Sequence, residues 1–215
     1  LLSTSIGFLL VAIIATWSIA GTLDFIPGGI LRGKAEPWVM SLLLALYVFG
    51  IGKAAVMPFH RWLPSAMVAP APVSALLHAV AVVKAGVFTI LKVVVYVFGI
   101  DLLADIGARE WLMYIAGATV LIASLVALRE DNLKARLAYS TISQLSYIVL
   151  ATMLASSLGI MGGAMHIATH AFGKITLFFC AGAIYAMTGE IEISRMRGIG
   201  RRMPGTMGAV AVAPT

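Results

Sequence analysis

The sequence predicts an all-α polytopic membrane protein of six transmembrane helices plus the start of a seventh, and three observations predict it. Of 215 residues, 61% are hydrophobic and 11% charged, with a mean hydropathy of +1.02. An ordinary soluble domain carries about 25% charged residues, so this chain cannot cover a water-facing surface with ionised groups. Apolar runs of about 20 residues, the helical length that crosses about 30 Å of hydrocarbon, recur six times. All nine carboxylates, from Asp24 to Glu192, fall between those runs.

The first run covers 2–20 and the second 38–57. The second helix is expected to end or break near Pro58, because proline lacks the backbone donor and clashes with the carbonyl four residues back. From Met57 to Pro72 the chain holds Pro58, Pro64, Pro70 and Pro72 with little charge. Irregular backbone at membrane depth survives only where it is buried in protein or lines a hydrated cavity, and Trp62 marks the adjoining interface. The remaining spans are expected at 72–98, 111–128, 137–156 and 161–188, with a seventh beginning near Pro204. The chain opens at Leu1 without an initiator Met and stops at Thr215 inside a new apolar run. It is therefore expected to be one membrane-embedded domain, 1–215, and an internal fragment of a longer subunit with no readable targeting signal.

Orientation follows from Lys and Arg in alternate loops. One side receives eight (Arg61, Arg129, Lys134, Arg136, Arg195, Arg197, Arg201 and Arg202) and the other three (Arg32, Lys34 and Arg109). The amino end and the loops near 60, 132 and 196 are thereby assigned to the cytoplasm, in a multi-pass protein of the cell inner membrane. The net charge of +6 does not indicate nucleic-acid binding, because the only dense basic cluster is a short loop between apolar stretches. The lone Cys180 lies inside an apolar run, so no intrachain disulfide forms.

Unlike the carboxylates, Lys53, Lys84, Lys92, Lys174, His78, His166 and His170 sit inside apolar runs. A lysine at the bilayer centre costs roughly 2.5 to 3.5 kcal/mol on insertion scales, which makes it a functional candidate. Lys84 and Lys174 are mid-span, too deep to snorkel; Lys92 is near enough to an interface to do so. Lys53 sits beside the expected break, where freed carbonyls and water can tune it. His166, His170 and Lys174 recur every four residues. They form a polar stripe about 12 Å long on one helix face, of a kind that relays protons through water. Two histidines one turn apart with a cation on the next turn make poor zinc ligands, and no metal site is expected. Ser140, Thr141, Ser143, Gln144, Ser146 and Tyr147 are read first as interhelical hydrogen-bonding groups. No phosphate-cradling loop, CxxC pair or nucleophile elbow is present, so no cofactor is expected and the chain is not a catalyst by itself.

Four stretches carry a resemblance: Gly52 to Pro64 (GKAAVMPFHRWLP), Ala69 to His78 (APAPVSALLH), Leu133 to Gln144 (LKARLAYSTISQ) and His166 to Lys174 (HIATHAFGK). With them the chain resembles the antiporter-like membrane subunits shared by respiratory complex I, Mrp-type cation/proton antiporters and membrane-bound hydrogenases. The resemblance implies an inverted-repeat bundle with a proline-broken helix. It also implies proton transfer through Lys53, His78, Lys84, His166, His170 and Lys174, with Lys53 paired to a glutamate outside this sequence. The run from Ala69 to Lys84 looks most like the D-type subunits of the Mrp antiporters, with the M-type or L-type subunits of complex I as the close second; the carrying of both His78 and Lys84 leaves the subtype open. Implied partners are the lipid bilayer, other membrane subunits of a multisubunit complex, protons and, as a candidate, sodium. The transported cation and the energy source stay open.

Overall fold

The computed structural model describes residues 2–213, so Leu1 and Thr215, on which the reading of the chain ends rests, lie outside the described residues. All six expected spans are helical: α1 (Leu2–Ala20), α2 (Pro37–Gly50), α3 (Ala71–Phe98), α4 (Ala108–Arg129), α5 (Leu133–Met153) and α6 (Ser157–Thr188). The seventh begins as α7 (Pro204–Val212). By length and composition α3, α4 and α6 suffice to cross a membrane, whereas α1 and α2 are shorter apolar helices. The 21 residues of α5 include Lys134, Arg136 and a row of hydroxyls. Among the described residues no β-strand forms, only an isolated bridge between Asn132 and Glu192.

The second helix stops earlier than the prolines alone suggest. Pro37 fits the first turn of α2, where a missing N–H costs nothing. The helix ends at Gly50, and a 3-10 turn, Gly52–Ala54, carries the chain onward to Ala55 with a left-handed φ of 56°. Close packing dictates the site of the break. A Cβ at Gly50 would lie 2.6 Å from the Leu9 nitrogen of α1, and a Cβ at Gly86 of α3 would lie 2.5 Å from the Ala54 nitrogen. The 3-10 turn is thus pressed against α3. The carbonyl of Gly52, which already accepts from Ala55 N–H within the 3-10 turn at 3.1 Å, also accepts a hydrogen bond from Trp62 Nε1 at 3.0 Å, so this tryptophan is tied to the break itself.

Helix α3 is widened in two places, Leu76–Val80 and Val93–Phe98, by π-helical turns in which Ala81 N–H donates to Leu76 and Gly99 N–H to Val94. An extra residue per turn rotates the following side chains by about 100° relative to a regular helix, and His78 lies inside the first widening. Helices α5 and α6 are capped by Asn132 and Ser156, whose side chains accept from Ala135 N–H and Gly159 N–H at 3.1 and 3.0 Å. The main buried cluster joins α1 through α5 around Leu44, Val83, Phe98 and Ile142, and a smaller one joins α5 to α6 around Ala138, Phe178 and Ala181. Large apolar side chains such as Trp17, Leu125, Leu128, Met165 and Phe172 face outward. Lipid chains make such a surface stable and remove the hydrophobic drive between helices, leaving close packing and polar contacts to hold the bundle.

Candidate functional site

The polar interior is assembled by α3, α5 and α6. Lys84, His170 and Lys174 are 6%, 4% and 0% exposed, and His78 is fully buried. Lys84 Nζ hydrogen-bonds Nδ1 of His170, joining α3 to α6. One turn either way on α6, His166 stacks on His170 with ring centroids 5.9 Å apart, and Lys174 Nζ donates to Ser140 Oγ of α5 at 2.7 Å. His166 Nε2 donates to Gln144 Oε1 at 2.8 Å. Ser140 and Gln144, one turn apart on α5, therefore face the stripe on the antiparallel α6. Of the polar row, Thr141 and Ser146 donate to carbonyls of their own helix and Ser143 pairs with Ser124 of α4, whereas Ser140 and Gln144 bond the candidate proton carriers. An i, i+4 polar pair on a helix joined to the stripe by a short connection is the signal that identifies them.

Within this interior, three buried ring nitrogens, Nδ1 and Nε2 of His78 and Nε2 of His170, have no hydrogen-bond partner in the protein among the described residues. With its Nδ1 turned to Lys84, a neutral His170 carries its hydrogen on Nε2 and presents an unmatched donor. His78 touches the Phe178 ring at a centroid distance of 5.4 Å. An unmatched buried polar group costs about 1 to 3 kcal/mol, so His78 is not a satisfied core residue. Two cavities open beside the stripe. One of about 460 Å³ is lined by Ser124, Arg136, Ser143 and Lys174, the other of about 490 Å³ by Tyr147, Gly162 and His166, and Gln144 borders both.

Lys53 is placed differently. It sits on the 3-10 turn, exposed, with no ion pair among the described residues. Its backbone packs on Gly86, two residues past Lys84, so the two regions touch through main chain. Lys92 is separate from the stripe: its ammonium lies 4.2 Å from the centroid of Phe25 and within 6 Å of those of Phe88 and Tyr96, a cation–π setting beside the 22–35 loop. Among the described residues no three His, Cys, Asp or Glu side chains come together in a group able to hold a metal.

At the loop end of α5 and α6, Asp131 accepts from Ser194 Oγ at 2.7 Å and from Ser194 N–H at 3.0 Å. These bonds hold its carboxyl below the ordinary carboxylate range. Lys134 and Ser74 both donate to the Ala69 carbonyl, at 3.2 and 3.0 Å, which fixes the proline-rich segment to the start of α3 and α5.

Residues 1–214 match the family described as NADH:quinone oxidoreductase/Mrp antiporter, transmembrane. The chain is 37% identical over 181 residues to a protein of Rhizobium meliloti described as the A/B subunit of a probable K(+)/H(+) antiporter, covering 84% of this chain and 18% of that one. It is 36% identical over 211 residues to NADH-ubiquinone oxidoreductase chain 5 of Metridium senile, covering 96% and 33%. Among solved structures it is similar to a chain of the Mrp complex from Dietzia sp. DQ12-45-1b, with a TM-score of 0.85, 31% identity and coverage of 99% and 23%. An archaeal membrane-bound sulfane sulfur reductase contains a chain similar at a TM-score of 0.84 and 30% identity, with coverage of 99% and 44%. The chain thus spans less than half the length of each of these relatives.

Proposed function

Because the chain belongs to the NADH:quinone oxidoreductase/Mrp antiporter transmembrane family, we propose that it forms the proton-conducting part of a membrane subunit in a multisubunit monovalent cation/proton antiporter. Lys53, His78, Lys84, His166, His170 and Lys174 are its proton-transfer residues. The observation that carries this reading is the contact of buried Lys84 with buried His170, on which half-buried His166 stacks, with buried Lys174 one turn away on the same face. Buried lysines without a carboxylate partner are an expensive way to pack helices and an economical way to hold and release a proton.

The mechanism is electrostatic. Lys84 and Lys174 share one interior, and like charges there oppose simultaneous protonation, so a proton gained by one favours release from the other. Lys174 lines one of the two cavities beside the stripe and His166 the other, with Gln144 bordering both, so water in them reaches both ends of the stripe. Exposed Lys53 stands where a carboxylate carried by another helix can approach it, and its turn packs on Gly86, two residues past Lys84, which makes it the point where the coupling signal enters. The partners are other membrane subunits of the complex, and the protein lies in the cell inner membrane with the loops near 132 and 196 cytoplasmic.

Proton flux in proteoliposomes of the complete complex tests the reading. Lys53→Ala and Lys174→Ala should each abolish coupled flux while leaving assembly intact; unchanged flux in both overturns it. A second reading, favoured by the 36% identity to an oxidoreductase chain, keeps the same path and couples it to a redox partner. Flux that depends on quinone reduction and ignores an imposed cation gradient would select it. A non-conducting scaffold predicts that Lys84→Met retains transport, since apolar isosteres often replace buried charges.

A further inference from the structure

The basic loop after α6 adjoins an apolar cavity that proton transfer does not use. The cavity, about 390 Å³, is enclosed by α5, α6, the 193–200 loop and α7, and its lining includes Leu137, Leu177, Ile184, Ile199, Met207 and Val210. That volume is in the range of small-molecule sites. Arg136 is the one charged residue in the lining, and its guanidinium is already engaged, Nε with the Ala127 carbonyl and Nη2 with that of Leu128, both at 2.9 Å. With its one charged side chain already engaged, the cavity is lined for hydrocarbon rather than for a polar group.

The rim has the opposite character. Gly198, Ile199 and Gly200 form part of the wall, and they are flanked in sequence by Arg197 on one side and Arg201 and Arg202 on the other. All three arginines are exposed, and among the described residues none forms an ion pair; the neighbouring Arg195 is held by Glu192 at 2.7 Å. None of the three lines the cavity itself; as exposed, unpaired cations next in sequence to its wall, they favour a molecule with an anionic head and an apolar tail. Arginine, with its planar fork of donors, suits phosphate oxygens. Basic pockets between helices on the cytoplasmic side are suited to anionic lipid headgroups, and each arginine near such a surface contributes about fivefold in affinity.

We infer that this cavity and its arginine rim form a binding site for one anionic phospholipid of the bilayer, acyl chain between α5, α6 and α7 and phosphate against Arg197, Arg201 and Arg202. The site fastens the start of α7 to the α5–α6 hairpin through a lipid, independently of proton transfer.

The test uses the full-length protein in its native complex, reconstituted with phosphatidylglycerol and phosphatidylcholine. Phosphatidylglycerol carrying a diazirine on its acyl chain is activated by light, and labelled peptides are mapped. Labelling of 193–210, at least tenfold stronger than with the phosphatidylcholine analogue, is expected. Equal labelling by both lipids, or labelling elsewhere only, overturns the proposal, as does finding the cavity filled by a later segment of the chain. This arm needs no substitution. In a second arm, R197Q/R201Q/R202Q should lose the headgroup preference, and V210W should lose labelling by both lipids. Preference retained in the triple variant overturns the proposal.

Discussion

Two regions of the chain carry a lysine in an apolar run, and they are built in opposite ways. Around Lys84 and Lys174 each ammonium has a protein partner, His170 or Ser140, supplied by a neighbouring helix of the same chain. Lys53 stands on a turn where the helix has stopped, exposed and without an ion pair among the described residues. The first region is tied across helices by contacts within the chain, whereas the Lys53 side chain makes none of that kind among the described residues. What they share is one contact, the main chain of Lys53 and Ala54 against Gly86.

The sharpest test of the contrast is to remove each lysine and read stability beside flux. Lys174→Ala should lower proton flux on the order of a hundredfold, the scale of losing a positioned proton carrier. It should also lower the melting temperature of the purified complex, since Ser140 loses its partner and a fully buried side chain leaves a void. Lys53→Ala should lower flux comparably with a stability change within about 0.5 kcal/mol, as for an exposed residue. Equal destabilisation by both variants would erase the distinction.

Gly86→Ala addresses the contact between the regions and comes next in size. A Cβ there would stand 2.5 Å from both the Ala54 nitrogen and the Lys53 carbonyl carbon. Backbone cannot yield as a flexible side chain does, so overpacking of about 1 to 3 kcal/mol is expected. The turn bearing Lys53 should move away from α3 while the Lys84–His170 contact persists. Thermal unfolding together with chemical labelling of a cysteine introduced at Lys53 would detect it, and wild-type values for both would show that the turn does not depend on this approach.

Ser140→Ala is expected to lower flux less than Lys174→Ala does. It removes one hydrogen bond to the Lys174 ammonium, worth about 1.5 to 3 kcal/mol when the acceptor meets a charge. Flux should fall by about tenfold and recover in Ser140→Thr, which restores the hydroxyl. Full activity in the alanine variant would assign Lys174 a different partner during turnover.

Hydrophobic run length located all six helices, and four-residue spacing located the stripe, because both follow from helix geometry alone. Where α2 ends was less legible: Pro58 pointed to the break, yet its site is set by Gly50 meeting Leu9 and by the turn meeting Gly86, contacts between segments distant in sequence. The π-turn around His78 carries no composition signal, since the same residues suit an ordinary helix. Lys92 looked like a snorkelling residue, and its aromatic surroundings include Phe25 from a loop more than sixty residues away. The burial of Lys84 was foreseeable from depth; the exposure of Lys53 was not, because a break releases its residues from the helical face that periodicity describes.

The mildest perturbation lies at the loop end of the same α5–α6 pair. Asp131 receives two hydrogen bonds from Ser194, and Leu133 and Ile193 exchange backbone bonds with Ile191 and Asp131, so the staple joins the entrance of α5 to the chain following α6. The Ser194 hydroxyl and N–H favour the charged carboxylate and hold its pKa below the ordinary 3.8. A depressed carboxylate contributes stability that is fully present above its unfolded value and is lost as pH falls through the folded one. Amide exchange at 193–195 should therefore be slow at neutral pH and quicken as pH falls below about 4, after correction for intrinsic exchange rates. Asp131→Asn should show the quicker exchange at every pH with transport preserved, because this staple lies outside the buried path. A loss of flux in that variant would mean that the loops and the interior act as one unit, and the contrast between the two lysine settings would have to include the loop ends of α5 and α6.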